Sequence, residues 1–117
     1  MLSKIKHFLF KKKSLKKKIL SRENRSLESL FNELSTNNVT FNEFKDVWEK
    51  IGNAYHIDSQ KLRLTDKFDH ELNALDPWPI DGYITELEDL LKKKHTSKPN
   101  KYIILKTLKD FIDNYFS

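Results

Sequence analysis

Thr40-Phe41-Asn42-Glu43-Phe44-Lys45-Asp46-Val47-Trp48-Glu49-Lys50-Ile51-Gly52-Asn53-Ala54-Tyr55 is the stretch that decides the fold. Thr40 and Glu43 form a capping box, a hydroxyl and a carboxylate three residues apart that satisfy each other's backbone donors at a helix start. Phe41, Phe44, Val47, Trp48, Ile51 and Tyr55 then step at three- and four-residue intervals, which gathers one apolar face on a helix. A helix this apolar on one side needs other elements to cover it, and the flanking sequence supplies them as helices.

Upstream, Ser26 caps a short predicted helix to about Ser35 that buries Leu27, Leu30, Phe31 and Leu34. Downstream, residues 58–75 lose any period and read as a long loop. A loop of this length needs fixed contacts of its own, and Leu62, Leu64, Phe68 and Leu72 are its expected anchors. Asp76-Pro77 opens a further helix running to Lys94, with proline in the tolerant first turn. Its buried stripe is Ile80, Tyr83, Ile84, Leu87, Leu90 and Leu91. Residues 95–100 form a polar linker. Tyr102–Leu105 reads as an extended segment or inward-packing loop, and Thr107 with Asp110 caps a last helix through Leu108, Phe111, Ile112 and Tyr115.

Composition agrees with helices. The chain has 117 residues, room for one modest core, and only two Gly and three Pro, too few turn residues for a sandwich or barrel of this size. It holds no Cys, which excludes disulfides, thiol nucleophiles and Cys-based zinc sites. A reducing, cytoplasmic location is expected.

Charge divides the chain. Residues 1–22 carry nine Lys and Arg and no acid; the remaining 95 residues carry all 17 acids and a net charge of −4. Residues 1–25 are therefore expected as a basic amphipathic arm with a hinge at Ser21–Arg25, and 26–117 as one helical domain. The apolar edge Leu2, Ile5, Phe8 and Leu9 gives way to Lys11, Lys12, Lys13, Lys16, Lys17 and Lys18. Lysines at 11–18 replace the apolar stretch a signal peptide needs, so the segment is read as retained. Such an arm suits an anionic membrane surface, where the apolar edge inserts and each cation adds about 1 kcal/mol. It also attracts nucleic acid by counterion release, although without an aromatic platform to read bases. A solubilising tail, or a helix docked on its own acidic domain, is the plainer alternative.

The words Ile57-Asp58-Ser59-Gln60-Lys61-Leu62 and Phe68-Asp69-His70-Glu71-Leu72, with Asn73-Ala74 after them, lie between the long helix and the Asp-led turn. In that order they resemble an acyl carrier protein, over residues 41–117. The resemblance implies an all-α bundle of about four helices, preceded here by the basic arm. It also implies a serine at the start of the second helix to carry phosphopantetheine. This chain has Leu75-Asp76-Pro77-Trp78 there, with one residue inserted and Pro77 in the serine's place. Neither Pro77 nor Trp78 offers an oxygen nucleophile, so no prosthetic group and no cofactor is expected. What the resemblance leaves is the second helix as a docking face, with Glu86, Glu88 and Asp89 on it and Trp78 near its start as a partner contact.

Other constellations carry less. Residues 81–88 repeat the second half of a calcium-binding EF-hand loop, but Pro77 and Pro79 occupy the first and third ligand positions, so no metal is expected. His7, His56, His70 and His95 show no ligand spacing, and no nucleophile elbow or phosphate cradle is present. The sequence thus reads as a non-catalytic interaction or adaptor domain that binds a protein partner. Peripheral membrane or nucleic-acid binding through the arm is one alternative, and a regulatory or toxin-neutralising role is another.

Overall fold

The computed structural model describes residues 13–34, 39–75, 85–94 and 105–116. The fold is all-α. Helix α1 includes the described residues 13–20, α2 is Leu27–Asn32, α3 Phe41–Ala54, α4 Asn73–Leu75, α5 Thr85–Lys94 and α6 Leu108–Tyr115. Among the described residues the β pairing is one isolated antiparallel bridge, Lys67 to Thr107.

Three expected N-caps are made by the side chains the sequence offers for them, while the one expected at Asp76 lies outside the described residues. Ser26 Oγ accepts from the Ser29 amide at 3.1 Å, and Thr40 and Thr107 each complete a capping box with Glu43 and Asp110. On α3 the apolar face is buried as its spacing requires, with Phe44, Trp48 and Ile51 fully inaccessible and Phe41 half-buried at the edge. Phe31 and Phe41 meet edge to face at 5.7 Å, and Phe44 stacks on Trp48 at 5.3 Å. The Phe31–Phe41 contact, together with Phe31 against Phe44 at 5.8 Å, ties α2 to α3 by aromatic pairing.

The segment 58–75 departs from the loop read in the sequence. Leu62, Leu64, Phe68 and Leu72 are all buried, as anchors should be. The chain between them is largely helical, with a 3₁₀ turn at Ser59–Lys61, a π turn at Phe68–Leu72 and then α4. In the π turn the Leu72 amide donates to Lys67 O at 3.1 Å, five residues back. One wide turn between tighter ones shifts the apolar spacing off the 3.6-residue period, and that is why no helix is legible there.

Residues 64–68 also seat the last helix. A helix start leaves its first amides without internal partners. In α6 the Leu108 amide donates to Asp66 O at 3.0 Å and the Lys109 amide to Leu64 O at 2.9 Å, while Thr107 Oγ1 takes the Asp110 amide. Phe68 and Phe111 then meet in the core at 6.5 Å.

The expected hinge at Ser21–Arg25 is instead fastened to the loop 58–66. Ile19 is buried at 1% exposure, and Leu15 packs half-buried beside it. Asp66, 2% exposed, receives both guanidinium nitrogens of Arg22 at 2.9 Å and the Arg63 amide at 2.9 Å. Arg22 also donates to Lys61 O, Lys61 Nζ returns a hydrogen bond to Arg22 O at 2.7 Å, and the Arg25 amide donates to Gln60 O. A buried carboxylate requires partners on all sides, and here Arg22 of the N-terminal segment and the loop's own Arg63 amide provide them.

Candidate functional site

The groove between α3 and α5 begins with how α5 sits. Leu87 is fully buried and Leu90 and Leu91 half-buried, which rolls Glu86, Asp89 and Lys93 onto the flank that faces the end of α3. There they meet Lys50, Asn53 and Ala54 of α3 and His56 just beyond it, around a cavity of about 420 Å³. Among the described residues, Ala54 and Leu90 make the half-buried floor, and the other lining residues are exposed and polar.

The turn that brings His56 to this rim ends α3 in a left-handed residue. His56 has φ 58°; its amide donates to Asn53 O at 3.2 Å, and the Ile57 amide donates to Gly52 O at 2.9 Å. This is the Schellman closure, which consumes carbonyls that a helix end otherwise leaves unpaired. On the same helix Lys50 pairs with Asp46 at 3.0 Å. That hydrogen bond and charge hold the Lys50 ammonium above its usual value.

Of the acids expected on one docking face, Glu86 and Asp89 come together at the groove, and Glu88 does not line it. Two residues of helix turn a side chain by about 200°, so Glu88 lies on the opposite flank of α5 from Glu86. Trp78 and Pro77 lie outside the described residues, as do Leu2, Ile5, Phe8, Leu9, Lys11 and Lys12, the half EF-hand up to residue 84, His7 and His95. Sequence reasoning missed Lys50, Asn53, Ala54, His56, Leu90 and Lys93 as groove residues. No signal within either helix says which flank faces the other.

The basic segment forms a second charged surface. Lys13, Lys16, Lys17 and Lys18 are all exposed on α1. Beyond α1, three guanidinium groups cluster at the clamp on loop 58–66. Burial, then the neighbouring charges of Arg25 and Arg22, push Arg63 below its usual value, against the opposing pull of Asp66 and Glu33. Arg63 is held by Gln60 O at 2.7 Å, Leu62 O at 3.0 Å and Glu23 O at 2.6 Å, and Arg25 pairs with Glu33 at 2.7 Å. The donors of this cluster are turned onto the chain's own oxygens, so it serves as a structural clamp.

Among the described residues, no three His, Cys, Asp or Glu side chains converge as a metal would require, and every buried side-chain nitrogen or oxygen has a partner. No protein-family model, characterised protein or solved structure matches the chain.

Proposed function

We propose that this chain is a non-catalytic interaction domain that binds a protein partner in the groove between α3 and α5, on an acyl-carrier-like scaffold that has lost its prosthetic group. The observation that carries the reading is the make-up of the groove. Sites for small molecules enclose most of their ligand. This groove is open instead, and among the described residues Ala54 and Leu90 form its apolar floor under an exposed rim of both signs, Lys50 and Lys93 with Glu86 and Asp89. Such a rim favours a peptide segment that lays one apolar side chain on the floor and pairs its flanking charges with the rim.

The carrier-like part of the proposal is supported by the order of elements: a long α3, a stretch 58–72 pinned by buried leucines, then α5 and a short Thr-capped α6. Pro77 in place of the serine supports loss of the attachment chemistry. Incubation with a phosphopantetheine transferase and coenzyme A should leave the mass unchanged. A gain of one phosphopantetheine arm overturns that part.

The groove itself is tested by affinity capture from nuclease-treated extract, with a photo-crosslinking residue at Asn53 and a control at Asp113. The expected result is a protein captured by the parent chain, cross-linked from position 53 and not from 113, and lost with Glu86→Lys plus Asp89→Lys. The helical content of that variant should be unchanged, because both acids are exposed. Capture indifferent to the reversal, or cross-linking from 113 alone, overturns the groove.

A further inference from the structure

Helix α1 is held in one orientation. Ile19 is buried, Leu15 is half-buried, and the chain leaving the helix is clamped through Arg22 to Asp66. With those residues facing inward, Lys13, Lys16, Lys17 and Leu20 fall on an outer stripe at intervals of three, four and seven, an arc of about 100°. All four are exposed. Leu20, at 44% exposure, is the large exposed hydrophobic residue among those described. A lone surface leucine is ordinary. Leu20 is not placed at random, since on the helix circumference it lies between Lys16 on one side and Lys13 and Lys17 on the other.

We propose that the stripe Lys13, Lys16, Lys17 and Leu20 is a membrane-contact face, which lays α1 along an anionic phospholipid surface while the clamp keeps the rest of the domain in solution. The proposal is independent of the groove reading. Three lysines supply attraction to headgroup phosphates and carboxylates, and their long stems let the ammonium groups reach outward while the helix settles lower. Leu20 at the centre of the arc then enters the acyl boundary. Charge distribution fixes the orientation. Beyond residue 22 the chain carries a net −4, so an anionic surface attracts the α1 side and repels the remainder. A nucleic-acid backbone would gain from the lysines alone and has no use for a leucine between them.

The test uses the full chain and vesicles of phosphatidylcholine, with or without phosphatidylserine at about one part in three. Because the chain has no cysteine, Leu20→Cys and Asp113→Cys each accept a single environment-sensitive fluorophore. The label at 20 should shift to the blue on mixed vesicles and not on phosphatidylcholine alone, while the label at 113 stays unchanged. In co-sedimentation, Leu20→Ser should weaken binding about fivefold, and each Lys→Gln change at 13, 16 or 17 about fivefold. Leu20→Ser should leave binding to a duplex oligonucleotide unaltered. Vesicle binding that persists undiminished in Leu20→Ser and in the triple Lys→Gln variant overturns the proposal and assigns contact to residues N-terminal to the stripe. Oligonucleotide binding without vesicle binding overturns it in favour of nucleic acid.

Discussion

His56 is where α3 pays for its ending, since a residue with a Cβ held at φ 58° is disfavoured by about 1–2 kcal/mol relative to right-handed backbone. Glycine carries no such penalty but loses more entropy on folding, about 0.5–1 kcal/mol. His56→Gly should therefore stabilise the chain by about 0.5–1 kcal/mol, read as a higher urea midpoint at unchanged slope. Four residues earlier the same reasoning reverses sign. A methyl group on Gly52 would stand 2.9 Å from Ile57 O, 3.0 Å from Ser59 Cβ and 3.1 Å from Ser59 Cα. Most of what it meets is backbone, and that backbone is tied in place. Ile57 donates back to Gly52 O, and Trp48 Nε1 donates to Ser59 O at 2.8 Å. Alanine gains about 1 kcal/mol of helix propensity, yet overpacking costs about 1–3 kcal/mol. Gly52→Ala should come out destabilised by about 1 kcal/mol in the same urea experiment. Both changes act on one turn, so the double variant should not equal their sum.

Between elements, the most buried ion pair among the described residues is the clamp of Arg22 on Asp66. Removing one member of a buried ion pair strands the other, at a cost of about 3–5 kcal/mol. Arg22→Ala strands the buried Asp66 and should cost about 3–5 kcal/mol, whereas Asp66→Ala leaves an Arg22 side chain that is 25% exposed and can rehydrate, at about 3 kcal/mol. Thermal unfolding of the two single variants and the double should show the double far less destabilised than the sum, by about 2 kcal/mol. A sum that is simply additive would mean that the pair contributes geometry without energy. This clamp was not legible in the sequence, because its partners stand 44 residues apart. The caps were legible because Ser26, Thr40 and Thr107 each act on a residue three positions away, and the face of α3 was legible because its spacing is regular. The π turn at Phe68–Leu72 hid the helical nature of 68–75 by breaking that spacing. At the groove, Glu86 and Asp89 were legible as solvent-facing acids on one helix. Lys50, His56 and Lys93 joined them only when tertiary packing set α3 beside α5.

On the scale of the molecule, the stretch 58–66 acts as a hub rather than a connection. It receives the Arg25 amide at Gln60 O, the Lys109 amide at Leu64 O and the Leu108 amide at Asp66 O, and it accepts the Trp48 indole at Ser59 O. The N-terminal segment, α3 and α6 thus all bond to the same nine residues. Elements that share a support open together, whereas a weakly docked segment opens at lower free energy than the core. Native-state hydrogen exchange distinguishes the two arrangements. The amides of Arg25, Leu108 and Lys109 should exchange with one common opening free energy, equal to that of the Tyr55 amide at the end of α3. In Asp66→Ala all four should drop together by about 3 kcal/mol. At roughly 0.1 kcal/mol per residue the chain retains enough stability to remain folded through that loss. A lower value at Arg25 alone would make the segment before α2 a separate unit, docked and undocked on its own. A common value means that the segment clamping the end of α1 is as fixed as the core, and only a fixed helix can present Lys13, Lys16, Lys17 and Leu20 to a surface as one stripe.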